Sequence, residues 1–238
     1  MDIEAIAERI AAYHSRGLSV CASSSFQTQS VPLLHLLSRM DAGIPVYFVD
    51  TGFLFPETYL FRDRLAAAFG LEVVTLRPAV AKLHQRCASG DLLFASDPDR
   101  CCDLNKVQPL AKVLSAHDVW ISGVRATQTA QRRAMRTEQP GPEGTLRFHP
   151  LLDWTDEDVR AYAREHDLPA HPLDAQGYVS IGCEPCTRRV SAEDARDGRW
   201  FGMQKRECGL HTALIQPADA APDDGIRHFT QATNTGLQ

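Results

Sequence analysis

The chain has 238 residues, of which 44% are hydrophobic, and its formal net charge is −5 at pH 7. This size and hydrophobic share allow a sizeable core and exclude a fibrous or disordered protein. The mild negative charge argues against a general binder of nucleic acid or of membrane surfaces, which needs a basic balance, but it permits a site for a small anion.

The N-terminal residues, MDIEAIAERIAAYHSRG, follow an amphipathic helical pattern with acids near its start. A signal peptide would show an apolar core segment, and a transit peptide would be poor in acids. No apolar run approaches the ~20 residues that a membrane span needs. We therefore expect a cytoplasmic protein that contacts no membrane.

Apolar strand patterns then alternate with helical patterns. The predicted strands are residues 18–22, 45–49, 71–75, 119–122 and 146–149, and the predicted helices are 30–40, 57–69, 104–114 and 156–166. The last helix has a capping-box start at Thr155 and Asp158. Residues 137–144 are predicted to form a loop because they contain Pro and Gly. This alternation predicts an α/β fold, with a mostly parallel sheet flanked by helices.

The domain prediction places this α/β unit, with the binding sites described below, at residues 1–190. A C-terminal segment, residues 191–238, would follow it and would carry a reactive cysteine and a flexible tail.

Polar loops follow three of the predicted strands, and ligands bind at the carboxyl ends of such strands. Ser23 and Ser25, with the backbone N–H groups ahead of a helix, suit an oxyanion, although Ser25 could instead cap that helix. Asp50 could accept a hydrogen bond from a ribose or an adenine amino group, or cap the following helix. Gly123 begins the third loop.

Seven cysteines in a cytosolic chain indicate metal binding or catalysis rather than disulfides. The adjacent pair Cys101 and Cys102 and the C-x-x-C of Cys183 and Cys186 supply four thiolates, the usual complement of a [4Fe–4S] cluster. A tetrahedral zinc site and inert buried thiols are the alternatives. Adjacent ligands are unusual for structural zinc, so we predict the cluster.

Cys208 lies in a separate basic stretch, KRECGLH, at residues 205–211. Neighbouring cations stabilise a thiolate, which is the nucleophilic form of cysteine. Gly209 leaves the backbone adaptable, so the thiol could approach a ligand closely. The simpler interpretation is a surface thiol among solvated charges.

Three stretches together resemble the assimilatory sulfonucleotide reductases, whose fold is adenine nucleotide alpha-hydrolase-like (PP-loop-like). The first contains Cys101, Cys102, Lys106 and the Pro-Leu that follows, and is similar to the family's C-C-x-x-x-K-x-x-P-L. The second comprises HPLLDW at 149–154 and GYVSIGCEPCTR at 177–188. The third is ECGLH at 207–211, where the family has its catalytic cysteine.

Weaker matches follow the same order along the chain. They are the SSSF loop at 23–26, the DTG turn at 50–52, and the G-x-R-x-x-Q-x-x-x-R pattern at 123–132. Ala126 and Asn105 stand where the family often has Arg.

The resemblance implies an oxidoreductase of sulfate assimilation and cysteine biosynthesis. It would reduce adenylyl sulfate (APS) to sulfite and AMP through an S-sulfocysteine on Cys208, with thioredoxin or glutaredoxin as a separate reductant. The resemblance is also compatible with a homo-oligomer. The 3′-phosphorylated nucleotide (PAPS), or both nucleotides, is the alternative substrate, since the serine loop resembles that branch. A non-enzymatic iron–sulfur carrier would leave the Cys208 motif unexplained, and a tRNA thiolation enzyme would need an S-G-G-x-D-S loop.

A thiolate that approaches an anionic sulfate needs nearby cations, and Arg holds such oxygens with two donors. The predicted substrate-binding residues are Ser23, Ser25, Asp50, Lys106, Arg125, Arg132, Arg196, Arg199 and His211. Lys106, four residues beyond Cys102, is expected to link the field of the cluster to the bound sulfate. The cluster itself is expected to act electrostatically and structurally.

Overall fold

The computed structural model describes residues 1–41, 43–190, 198–203, 205 and 207–211. The strands in these ranges are β1 Val20–Ser23, β2 Val46–Val49, β3 Val73–Leu76, β4 Val119–Ser122, β5 Glu138–Pro140 and β6 Leu146–Phe148. They form one sheet in the order β3-β2-β1-β4-β6-β5, whose neighbours are parallel except for β5 and β6. The predicted mostly parallel sheet is confirmed.

Helices connect the strands and cover the sheet. They are α1 Ile3–Ser15, α2 Val31–Met40, α3 Pro56–Phe69, α4 Leu93–Ser96, α5 Pro98–Cys102, α6 Gln108–Leu114, α7 Ala130–Arg133 and α8 Asp156–Glu165. Helix α8 begins with the predicted capping box, in which Thr155 and Asp158 exchange hydrogen bonds. Helix α3 ends at Gly70, whose φ of 64° is the left-handed conformation that glycine adopts readily.

Both faces of the sheet are buried, because successive strand residues point to opposite sides. Val20, Ala22, Val119 and Ile121 face the larger core, which is built with residues of α1, α2, α3 and α8. Cys21 and Trp120, on the other face, join a second cluster with Val107, Leu110 and Leu114 of the α6 region. Strands buried on both faces explain why the sequence shows continuous apolar runs there.

The chain reverses its order across the sheet between β1 and β4, with β2 and β3 on one side and β6 and β5 on the other. Loops that leave neighbouring strands in opposite directions create a crevice at this point, where open α/β sheets bind ligands. The loop after β1 is held in place by Phe26, whose φ of 53° is unusual for a residue with a side chain. Its ring is fully buried and packs edge-on against Phe48.

Two sequence predictions differ from the structure. Residues 138–140, predicted as loop, form the edge strand β5, where Pro140 is tolerated. The predicted helix 104–114 is a π-helical turn, Asp103–Val107, followed by α6. Pro109 accounts for this, since it lacks the N–H that would continue regular α-helical bonding into the preceding turn.

The short helices α4, α5 and α7 were not predicted, because four or five residues carry too little periodicity to recognise. Among the described residues, no helix combines the length and the apolar character that crossing a bilayer requires. The division at residue 190 stays a prediction, because most of the proposed C-terminal segment lies outside the described ranges.

Candidate active site and cysteine centre

A cavity of about 570 Å³ opens where the loops after β1 and β4 diverge. Its wall includes the serine loop, the residues that follow β4, and the segment around Cys208. The predicted site residues that line it are Ser23, Ser25, Lys106, Arg125, Arg132, Arg199, Cys208 and His211. Residues far apart in the sequence therefore meet at the sheet edge where the strand pattern placed a binding site.

The serine loop presents side-chain oxygens to this cavity. Ser23 accepts a hydrogen bond from the Trp120 indole N–H at 2.8 Å, which fixes its hydroxyl at the end of β1. Ser25 accepts from the Gln27 amide at 3.2 Å. Helix α2 begins only after Ser30, so Ser25 is not its cap. Both serines are thus available to an oxyanion in the cavity.

Two buried arginines line the opposite wall. Arg125 is paired with Asp156 and donates to Gln29 at 3.0 Å. Arg132 holds the Glu207 carboxylate with two bonds, from Nε at 3.0 Å and Nη2 at 2.8 Å. Because both partners of the Arg132–Glu207 pair are over nine-tenths buried, this bidentate pair fixes the Cys208 segment to the wall of the cavity.

The Cys208 sulfur lies in a field of donors and cations. The Lys106 ammonium is 3.8 Å from Sγ, and the backbone N–H of Leu210 also donates to it. Burial raises the pKa of Cys208, but Lys106, the Leu210 N–H, Arg199 and Arg132 outweigh it and lower the pKa below its ordinary value. The site therefore favours the thiolate, which is the nucleophile.

Lys106 lines two cavities. One is the larger cavity described above, and the other is a smaller cavity that is also lined by Cys101, Cys102, Cys183 and Cys186. Burial lowers the pKa of Lys106, but its electrostatic interaction with the sulfurs of Cys183, Cys208 and Cys102 raises it further than burial lowers it. The ammonium is therefore charged, and it lies between the reactive sulfur and the cysteine group.

Cys101, Cys102, Cys183 and Cys186 line this smaller cavity, all as free thiols. Burial raises the pKa of Cys101 to about 12 and that of Cys186 to about 11, and neighbouring cysteines add to both shifts. Within the described ranges, no three Cys, His, Asp or Glu side chains converge on one metal-ion position.

Polar groups surround these sulfurs. The Thr51 hydroxyl is 3.3 Å from the Cys183 sulfur, and the Asn105 amide donates to the Cys101 sulfur at 3.5 Å. Asn105 is itself held by Gln85, with which it exchanges two hydrogen bonds at 2.6 and 2.9 Å. A donor such as the Asn105 amide stabilises the charge of a metal-bound thiolate, so these contacts are compatible with a metal ligand at Cys101.

Arg199 connects the cysteine centre to the larger cavity. Its Nε donates to the carbonyl of Cys186 at 3.2 Å, and its guanidinium lies 4.6 Å from the centre of the Trp200 ring. The backbone of Gly182 makes room for it, because a Cβ on Gly182 would stand only 2.3 Å from Arg199 Nη2. Arg199 is therefore positioned by a glycine that sequence reasoning did not single out.

Two predicted substrate contacts are not found in the cavity wall. Asp50 follows β2 as predicted, but its carboxylate accepts from Tyr59 and the Gly52 N–H and pairs with Arg77. Burial raises the pKa of Asp50, whereas these three donors together lower it. It does not cap α3 either, since the residue before that helix is Phe55. Arg196 lies outside the described residues.

The comparisons with known proteins agree with this geometry. The family model of the phosphoadenosine phosphosulfate reductase domain matches residues 19–189. The adenosine 5'-phosphosulfate reductase of Chelativorans sp. strain BNC1 is 42% identical over 195 residues, or 81% of this chain and 78% of that protein. The chain belongs to the phosphoadenosine phosphosulfate reductase family.

A further relative and a solved structure are also similar to this chain. The phosphoadenosine 5'-phosphosulfate reductase of Gloeobacter violaceus is 38% identical over 82% of this chain and 83% of its own length. The crystal structure of phosphoadenylyl-sulfate reductase from Candida auris, in a phosphate complex, superposes with a TM-score of 0.59 over 70% of this chain and 81% of that one. At 24% identity, this second match shows the shared fold.

Sequence reasoning missed several residues of this family member's site. Glu207 was noticed only as part of a motif, and Arg147 was not noticed. Arg147 lies in the middle of β6 and is 1% exposed. A charged residue between apolar ones in a predicted buried strand is a signal that could have revealed it. Thr51 and Gln85 gave no such signal, because their role depends on tertiary contacts.

Replacing Lys106 tests the electrostatic activation of Cys208. In Lys106→Met the pKa of Cys208 rises, because the cation that favours the thiolate is gone. The rate of Cys208 alkylation by iodoacetamide at pH 7 should fall roughly tenfold, and its pH profile should move to higher pH. Mass spectrometry of the alkylated protein in a Cys87→Ser background isolates the reaction at Cys208.

The matched control is Lys112→Met, which removes an exposed lysine of α6. It should leave the alkylation profile of Cys208 in place. A Lys106→Met profile that overlays that of Lys112→Met would show that Lys106 does not activate the thiol.

Gly182→Ala should displace Arg199 without unfolding the protein, since the clash is with the end of a flexible side chain. We expect the rate at which Cys208 is modified by the sulfonucleotide to fall about tenfold, as for the loss of a hydrogen bond to a charged group. The melting temperature should change little. Ser180→Ala is the neighbouring control, because it removes only a 3.4 Å contact to Arg199.

A double-mutant cycle decides whether the effect passes through Arg199. In an Arg199→Ala background, Gly182→Ala should add almost nothing, because the group that it displaces is already absent. Additive losses would mean that Gly182 acts on the site by another route.

Proposed function

We propose that the chain is a thioredoxin-dependent adenylyl-sulfate reductase, which converts APS to sulfite and AMP in sulfate assimilation. The observation that carries this is the Cys208 sulfur, held 3.8 Å from the partly buried ammonium of Lys106 in the wall of a cavity large enough for a nucleotide. The relatives named adenosine 5'-phosphosulfate reductase support the choice of APS.

The substrate would bind with its nucleotide in the larger cavity and its sulfate toward Cys208. Serine hydroxyls and backbone N–H groups of the loop after β1 meet phosphate oxygens at one end. Lys106 and Arg199, both in the wall near Cys208, offset the negative charge of the sulfate. His211 lines the same wall and adds a ring nitrogen to the polar contacts.

The first chemical step is attack of the Cys208 thiolate on the sulfur of the sulfate group. A bond forms between Sγ and that sulfur, while the bond to the phosphate oxygen breaks and its electron pair leaves with AMP. The product on the enzyme is S-sulfocysteine. The lowered pKa of Cys208 favours the thiolate, which is the form that attacks.

The second step needs a dithiol protein such as thioredoxin or glutaredoxin. One thiolate of the dithiol attacks Cys208 Sγ, so that sulfite leaves with the electron pair of the broken S–S bond. The second thiol then attacks the resulting mixed disulfide, which returns the Cys208 thiolate and leaves the partner oxidised. Sulfur is thereby reduced by two electrons, and both come from the partner dithiol.

The four remaining motif cysteines are proposed to hold a [4Fe–4S] cluster. Their common cavity, their burial and the donors from Thr51 and Asn105 fit a group that needs four thiolates. When bound, the cluster would supply fixed charge beside Lys106 and tie α5 to the turn Glu184–Cys186. Lys106 would then be oriented from one side by the cluster ligands and from the other by Cys208.

All seven cysteines lie in the described ranges and are free thiols, which suits a reducing compartment and supports the proposed cytoplasmic location. PAPS is the second candidate substrate, because the Gloeobacter violaceus relative carries the name of a phosphoadenosine 5'-phosphosulfate reductase. A dual-specificity enzyme would combine both activities at the same Cys208.

Mass spectrometry of the anaerobically prepared protein mixed with APS, without reductant, tests the proposal. Wild type should gain the mass of one SO3 group on Cys208 and release one equivalent of AMP. Cys208→Ser should gain no mass and make no sulfite, while its cluster absorbance is retained. Cys87→Ser, which alters a partly exposed thiol that lines neither of the two cavities, should behave as wild type.

The same assay with PAPS separates the two candidate substrates. We expect a higher kcat/KM for APS, and a clear preference for PAPS would move the chain to the other branch of the family. An unmodified Cys208 with both nucleotides would overturn the reductase proposal itself.

A further inference from the structure

Arg147 is buried without an acidic partner. Its side chain is 1% exposed, and no ion pair to it exists among the described residues. Its Nε and Nη1 are buried without a hydrogen-bond partner within the same residues. The pKa of Arg147 is lowered to about 10, mainly by burial and to a smaller extent by the positive charge of Arg132 nearby. Arg147 is therefore still charged at neutral pH.

The contacts that Arg147 does make point in one direction. Its guanidinium lies 4.3 Å from the centre of the Trp120 ring, which gives it a cation–π contact beneath the Cys208 segment. Its Nη2 donates to the carbonyl of Leu210 at 3.3 Å and contacts His211 Nδ1 at 3.0 Å. Both hydrogen-bond acceptors therefore belong to the 3₁₀ turn Gly209–His211 that follows Cys208.

Stability alone does not account for this arrangement. An unpaired buried charge is costly, and an apolar residue of similar volume in its place is often neutral or stabilising. Gly141 leaves room beside this side chain, since a Cβ there would lie 2.6 Å from Thr145 Oγ1 and 3.0 Å from Arg147 Cγ. The buried charge of Arg147 therefore costs stability, and its hydrogen-bond acceptors lie next to Cys208. This combination indicates a role of Arg147 in the site.

The contact with His211 has a defined chemical consequence. A guanidinium has donors and no acceptor, so Arg147 must donate and His211 Nδ1 must accept. Nδ1 is therefore unprotonated, and the proton of the neutral ring is on Nε2. Arg147 is not in the cavity lining, whereas His211 is, so His211 connects Arg147 to the cavity.

We propose that Arg147 is a positioning residue that fixes His211 as a neutral Nε2–H donor directed at an anionic oxygen of the bound sulfonucleotide. This rests on the proposed function for the identity of the ligand, but the arrangement of Arg147 and His211 does not. The donor is set before substrate arrives, so no proton has to move and no ring has to turn on binding.

Long-range ¹H–¹⁵N spectra of the full chain, labelled with ¹⁵N-histidine, test the arrangement without substrate. The His211 signals are identified by their loss in His211→Gln. In wild type they should report a proton on Nε2 and an accepting Nδ1. A protonated Nδ1 in the wild-type ring would overturn the proposal, whatever the variants do.

Arg147→Met then separates positioning from stability. The melting temperature should stay level or rise, because a buried unpaired charge is replaced by an apolar side chain. The His211 signals should lose the Nε2–H pattern, and the affinity for AMP, measured by calorimetry, should fall about tenfold. The control Arg136→Gln, at an exposed arginine near β5, should change neither measurement.

The outcomes distinguish the two proposals. Unchanged His211 signals and AMP affinity in Arg147→Met would refute the positioning role. If wild type shows the Nε2–H tautomer but neither binds AMP nor is modified by APS or PAPS, the proposed function fails while the arrangement of Arg147 and His211 stands.

Discussion

The Lys106 ammonium is the point at which the two halves of the site meet. It lies 3.8 Å from the Cys208 sulfur and lines both the nucleotide-sized cavity and the smaller cavity of the four cysteines. One buried cation thus stabilises negative sulfur on two sides. A buried charge of this kind is tolerable only while its anionic partners are in place, so the position of each sulfur group constrains the other.

The π-helical turn explains how Lys106 reaches this position. Cys102 ends α5, and the wider turn Asp103–Val107 carries Asn105 and Lys106 before α6 begins. Asn105 bonds to the carbonyl and the sulfur of Cys101, while Lys106 is directed at Cys208. A local irregularity forced by Pro109 therefore turns two consecutive side chains toward two different sulfurs.

Much of this could be predicted from the sequence, because strand periodicity and cysteine spacing are local signals. They gave the parallel sheet, the loops at its carboxyl edge and five cysteines that line the two cavities. Asp50 was less predictable, since whether a residue at a strand end faces the ligand depends on neighbours such as Tyr59 and Arg77. The role of Arg147 depends on a segment 60 or more residues away, which no local pattern records.

The basic residues around the larger cavity fall into two groups: those that are paired with a carboxylate and those that are not. Arg125 and Arg132 are neutralised by Asp156 and Glu207, and the second of these pairs anchors the Cys208 segment. Lys106, Arg147 and Arg199 have no carboxylate partner among the described residues, and all three lie at or beneath the Cys208 end of the cavity. The sulfurs of Cys208, Cys102 and Cys183 offset part of the charge of Lys106. Lys106 and Arg199 both lower the pKa of Cys208 and both line the cavity. The cations that favour the thiolate are therefore also the ones that an entering anion would contact.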